Sequence, residues 1–213
     1  MERQKTGGVE EMIIENELHY TSKHTFAELK EALDRDDKDK VMELFKERVK
    51  ELYLEPARLL IEHAKYCKNN MGFLFSAGLI CVSAIDFLSR FYAGCPENKV
   101  RERFVDWISV YMKPHFDKKL ATKFYEDFRN GLVHECRIKN GGEFTLRSEE
   151  VIYIVDQKYL RVNPRNLLYL VYEGFEKYVN DIENDEVLYE ELKNCLMKDF
   201  ENDFGKGDDT NER

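Results

Sequence analysis

The five cysteines of this 213-residue chain, Cys67, Cys81, Cys95, Cys136 and Cys195, are odd in number and never spaced as CxxC. That removes a zinc ribbon and leaves no disulfide framework to read, which points to a reducing compartment. Also missing is any run of about 18 uncharged apolar residues; the nearest, Met71 to Leu88, is interrupted by Gly72, Ser76, Gly78, Ser83 and Asp86. The opening MERQKTGGVEEMIIENE has no basic start leading into an apolar stretch, so no secretory signal is read there. Together these absences set the expectation of a cytoplasmic protein without a membrane segment. Neither GxxxxGK(S/T), GxGxxG nor GxSxG occurs, which leaves nucleotide-loop and serine-hydrolase chemistry without sequence support.

What is present is core material under a heavily charged surface: 43% hydrophobic, 13% aromatic and 35% charged residues. The net charge of −9 is not spread evenly. Residues 181–213 carry twelve acids and four bases, whereas residues 1–180 are almost balanced at 30 and 29. The body is therefore near neutral, and the acidic end is expected to be a solubilising, disordered tail, or less simply a screen over a basic groove.

Apolar periodicity lays out the elements. Residues 1–40 read as an arm with a small apolar cluster, Met12-Ile13-Ile14, and a short helix over Thr25 to Leu33 whose Phe26, Leu29 and Leu33 share a face. The charge run Asp34 to Lys40 is expected to be a solvated turn. Val41 to Asn69 repeats apolar residues at three and four residue steps, a long amphipathic helix that Pro56 should kink or divide. After the turn at Asn69-Asn70, MGFLFSAGLICVSAIDFLSRFYAG is apolar on nearly every side and belongs at the centre of a bundle. Further helices are expected over Lys99 to Tyr111 and Asp117 to Phe128. Two or three short strands then lie between Phe144 and Tyr159. Asn163-Pro164 starts a helix running to about Ile182, and a last one covers Glu186 to Phe200. The fold class is all-α: a helical bundle over 41–200 with a β-hairpin or three-stranded insertion near 143–161, followed by a tail over 201–213.

One stretch carries chemistry. FYEDFRNGLVHE holds Arg129 and His134 five positions apart, with Asn130 and Gly131 between them. Histidine titrates near neutrality and exchanges protons, and arginine's planar fork matches a phosphate in two hydrogen bonds. Five residues on a regular helix amount to about 500°, which leaves the two side chains roughly 140° apart. They meet only if the helix is distorted; Gly131 is a candidate break and Asn130 a candidate cap. The spacing equally fits a surface histidine beside an arginine paired with Glu126 or another acid.

RNGLVH, late in a bundle and after a long apolar helix, resembles the RNxxxH form of the Rx4-6H signature of HEPN domains, all-helical modules of toxins, phage-defence proteins and CRISPR effectors. The likeness extends over about Val41 to Ile182. It implies a metal-independent endoribonuclease without a cofactor, acting as a homodimer whose two motifs share a cleft. Arg129 would bind and polarise the scissile phosphate, His134 would move the proton of the ribose 2′-hydroxyl or of the leaving group, and Asn130 would be the polar residue that follows the arginine. Products would be a 2′,3′-cyclic phosphate and a 5′-hydroxyl. An antitoxin or a nucleotidyltransferase is a conceivable partner under the same likeness. The competing reading is a non-catalytic scaffold or partner-binding module of that fold. A buried, acid-paired Arg129 in a monomer would favour the scaffold; two facing copies of the motif in an open groove would favour the nuclease.

Asp86 is the one carboxylate in the apolar helix, where it is expensive unless paired. It either faces Arg129 or His134, or meets Arg90, Lys65 or water. Arg137, Lys139 and Arg147 are candidate RNA-binding bases, although residues 129–165 hold seven bases against five acids, a weak patch. His63 and Cys67, four apart and beside Glu62, have metal-ligand spacing, yet two ligands do not make a site and no metal is expected. Cys136 lies only two residues from His134, a separation that does not face on a helix.

Overall fold

The computed structural model describes residues 18–67, 70–96 and 98–204. In chain order the helices are α1 (Phe26–Asp34), α2 (Lys38–Val49), α3 (Glu55–Ala64), α4 (Met71–Tyr92), α5 (Val100–Tyr111), α6 (Lys118–Phe124), α7 (Asn130–Glu135), α8 (Pro164–Asn184) and α9 (Glu186–Phe200). Three short strands, β1 (Glu143–Phe144), β2 (Ile152–Val155) and β3 (Tyr159–Val162), lie between α7 and α8. Their order is β1-β3-β2, with β1 parallel and β2 antiparallel to the central β3. The architecture is therefore mostly helical with a small three-stranded sheet. Met12-Ile13-Ile14, Asn69 and the end of the acidic tail fall outside the described residues.

Local chemistry explains most boundaries. Thr25 and Glu28 form a reciprocal capping box at α1, Thr25 Oγ1 accepting from the Glu28 amide at 3.2 Å and Glu28 Oε2 from the Thr25 amide at 2.8 Å. The charge run does not stay a turn, because Asp37 accepts from the Lys40 amide and starts α2 at Lys38. Asn163 caps α8 through the amides of Arg165 and Asn166, with Pro164 at the first position. Asn70 stands before α4 without a side-chain cap bond.

Pro56 divides the long helix by a specific device. Its ring would crowd the carbonyl of Leu52, four residues back. The chain inserts one extra residue there, a π-turn over Lys50–Leu54 in which the Glu55 amide donates to the Lys50 carbonyl. α2 and α3 thus follow one another through a single wide turn.

α4 is long and apolar enough to cross a membrane by length and composition, yet it packs against α3, α5, α8 and α9 and the second residue of β1. Leu74, Val82, Ile85, Leu88 and Phe91 are almost fully buried along it, each contributing about 1.5–3 kcal/mol by leaving water. Gly78 lets the sheet dock, since a Cβ there would sit inside the Phe144 ring. Phe144 meets Phe128 edge-on at 5.0 Å and Phe75 edge-on at 6.4 Å. The sheet is therefore bolted to the middle of α4, beside the segment that carries Arg129. The first helix joins the same core, with Phe26 packed on Tyr20, Phe200 and Phe204.

Candidate functional site

The segment leading to the motif is not a regular helix. α6 starts from an Asp117 cap and buries Ala121 and Phe124, but over the next turn Tyr125, Asp127, Phe128 and Arg129 are all buried. No single helical face covers four of five consecutive residues. The chain achieves it with a second π-turn, Tyr125–Arg129, closed by the Asn130 amide donating to the Tyr125 carbonyl. One inserted residue rotates everything after it by about 100° relative to α6. That rotation carries Arg129 inward toward α4.

Asp127 anchors the turn from below. It is 1% exposed and accepts from Lys123 Nζ at 2.6 Å and Asn140 Nδ2 at 2.6 Å, while its carbonyl accepts from the Lys139 amide at 2.8 Å. The strap after α7, residues 136–140, is thereby folded back across α7. Cys136 makes the reversal in the left-handed region, with φ 52°. Gly131 is where the strap crosses. It is no hinge: it lies inside α7, and a side chain there would strike the Arg137 carbonyl and Lys139.

Arg129 is 9% exposed and reaches two partners. Nη2 donates to Asp86 Oδ2 at 2.8 Å, and Nη1 lies 3.1 Å from His134 Nε2. The guanidinium also covers the Tyr125 ring, 5.7 Å from its centre. An arginine nitrogen only donates, so in this contact His134 Nε2 is the acceptor. His134 itself is exposed. The pair thus combines a fixed cation with a solvent-facing imidazole.

Asp86 settles on Arg129 rather than Arg90 or Lys65; Arg90 pairs instead with Asp199 of α9. Its second oxygen takes Arg103 Nη2 at 3.3 Å. Arg103 is 9% exposed and comes from α5, between Val100 and Trp107 on the apolar face. Sequence reasoning passed over it, although a charged residue inside an apolar stripe is a readable signal. Tyr53, on the first π-turn, stands near enough for the Asp86 charge to add to the burial that raises its phenol, against an opposing effect of Arg48.

The other expected residues stand further out. Asn130 is half-buried and caps nothing, because the backbone is helical on both sides of it. Arg137 and Lys139 both pair with Glu135, whose carboxyl the Lys139 and Arg137 hydrogen bonds hold below the ordinary range. Such exposed pairs compete only weakly with a ligand. Arg147 is exposed beyond β1. The His63 ring packs edge-on against Phe73 at 5.0 Å, and no group of three or more metal-capable side chains occurs among the described residues.

A concavity of about 890 Å³ opens between α2, α3 and α8, lined by Lys46, Glu51, Pro56, Leu59 and Glu183, and includes none of the residues above. Its charged walls are paired among themselves, Lys23 with Glu47, Lys46 with Glu183 and Lys50 with Glu176, and carry no histidine. The chain matches no family model, no curated protein and no solved structure.

Proposed function

We propose that this protein is a metal-independent endoribonuclease of HEPN type, of the kind that serves as a toxin or defence effector, with Arg129 and His134 as its catalytic pair. The observation that carries the reading is the 3.1 Å contact between a buried, carboxylate-steered guanidinium and an exposed imidazole. In the reaction, the ribose 2′-oxygen attacks phosphorus while His134 Nε2 takes its proton. The bond to the 5′-oxygen breaks, that oxygen takes a proton from water, and a 2′,3′-cyclic phosphate remains. Arg129 stabilises the charge that builds on the phosphate oxygens. For the substrate hydroxyl to reach Nε2, Arg129 Nη1 turns from the ring to the phosphate. A homodimer would place a second pair across the cleft, and RNA is its partner.

Cleavage of RNA in EDTA by wild type, Arg129→Ala and His134→Ala, with analysis of product ends, tests this. Loss of the histidine should cost about 10²- to 10⁴-fold in rate. Cutting that needs a divalent metal, or alanine variants as active as wild type, would sink the mechanism.

A second reading draws on the burial of Arg129 and its ion pair with Asp86. In it the arginine is a structural tie between α4 and the π-turn, and the protein is a non-catalytic scaffold. Under that reading His134→Ala costs only the hydrogen bond that the exposed ring accepts from Arg129 Nη1 and leaves partner binding unchanged. The exposure of His134 and the surplus of positive charge beside Arg129 favour the catalytic reading.

A further inference from the structure

The carboxylate of Asp86 is divided between two guanidinium groups. Oδ2 belongs to Arg129 and Oδ1 to Arg103. Both arginines are 9% exposed, the Asp86 side chain is 21% exposed, and no other described acid forms an ion pair with either. Two fixed positive charges against one negative leave a net charge of one in a largely desolvated place. A charge left unbalanced in such a place favours the uptake of a counter-ion. In addition, the Nε donors of Arg103 and Arg129 are both buried without a hydrogen-bond partner. Neighbouring charges are satisfied elsewhere: Arg101 by Glu126, Lys123 by Asp127, Arg90 by Asp199.

The division of Asp86 has a geometric consequence. An arginine and a free carboxylate prefer a two-point embrace, both oxygens to one guanidinium edge. Here Arg103 occupies one oxygen, so Arg129 receives only the other and its Nη1 stays turned toward His134. Were Arg103 absent, Asp86 would be free to clasp Arg129 with both oxygens. That would offset its charge and engage Nη1, leaving it unable to turn to a phosphate.

We infer that Asp86, Arg103 and Arg129 form an anion seat for one phosphate group, with Arg103 as the positioning residue that leaves the Arg129 charge uncancelled and its Nη1 free, beside His134, to turn to the phosphate. This rests on the ribonuclease reading for the identity of the natural ligand, a phosphodiester, but not for anion binding as such.

The test titrates the full chain with inorganic phosphate and follows the His134 ring resonances by NMR, alongside RNA cleavage in EDTA. Wild type should respond saturably. Arg103→Gln should bind phosphate about tenfold more weakly, or worse, and lose cleavage in parallel. Asp86→Asn combined with Arg103→Gln removes the captor together with its guard and keeps the net charge of one. It should return phosphate affinity to within about threefold of wild type. That rescue is not expected of a residue that merely props up the fold. If the single variant does not fold, the double variant carries the test by its own affinity. A wild type blind to phosphate, an Arg103→Gln variant that binds like wild type, or a double variant as weak as the single one would each overturn the inference. Phosphate binding that depends on Arg103 without any RNA cleavage would uphold the seat and remove the ribonuclease reading instead.

Discussion

Replacing Gly131 by alanine sets two effects of known size against each other. In an ordinary helix interior the change gains about 1 kcal/mol from helix propensity. Here the new Cβ would lie far inside the roughly 3.5–4.0 Å at which carbon contacts are favourable, pressed on the Arg137 carbonyl oxygen and 3.1 Å from Lys139 Cγ. A backbone oxygen cannot swing aside as a side chain does. The strap must lift, which costs about 1–3 kcal/mol as overpacking. Lifting it also weakens the Arg137 amide bond to the Gly131 carbonyl, 3.2 Å, and the Lys139 amide bond to the Asp127 carbonyl, 2.8 Å, each worth about 1 kcal/mol. The clash wins, for a net loss of about 2 kcal/mol, or a fall in Tm of about 4–8 °C at this chain length. Thermal and urea unfolding read it directly. Gly72, with nothing within 4 Å of its would-be Cβ, is the control: Gly72→Ala should be neutral or stabilising by up to about 1 kcal/mol. If Gly131→Ala is as stable as wild type, the crossing of strap and helix has been misjudged.

Acid sensitivity and thiol reactivity offer two further checks. The Glu28 carboxyl is held below its ordinary 4.5, first by the Thr25 amide and then, against burial, by His24. With the folded value depressed, the unfolded chain binds more protons between the two values, so this stability is full above the ordinary value and is lost as pH falls through the folded one. Glu28→Gln should therefore be less stable than wild type near about pH 7 and converge with it near about pH 3; a gap constant across that range would refute the capping-box account. Native protein treated with an aromatic disulfide reagent should release one thiol fast, from exposed Cys136, and a second more slowly from half-buried Cys67. Cys81, whose thiol burial pushes up to about 12, and buried Cys95 and Cys195 should react only on unfolding. A fast phase that survives Cys136→Ser would contradict the exposed left-handed turn.

Elements with local signals were legible. The sequence places the last helix at Glu186 to Phe200 and starts α8 at Asn163-Pro164, and both stand so in the structure, because caps and period are written within a few residues. The two or three short strands expected between Phe144 and Tyr159 stand as β1 to β3 in the same way. The charge run misled, since Asp37 is a cap as well as a charge. Gly131 and Asn130 also misled: a break and a cap were expected, and the distortion lies one turn earlier, in a π-turn whose extra residue has no compositional mark.

The same division runs through the site. Sequence alone determined that an arginine able to hold phosphate and a histidine able to move a proton lie five residues apart, behind a helix apolar enough to be central. It also marked Asp86 as a carboxylate needing a partner. Which partner it has, and that Arg103 shares it, was decided by how α4, α5 and the π-turn pack, bringing together residues 17 and 43 positions apart. Ion pairs of that separation leave no periodic trace, because either charge could be satisfied by water or by another neighbour until the packing fixes the distance. The roughly 140° between Arg129 and His134 is likewise a property of a regular helix; only the folded chain, with one residue inserted and a long guanidinium steered by two neighbours, closes it to 3.1 Å.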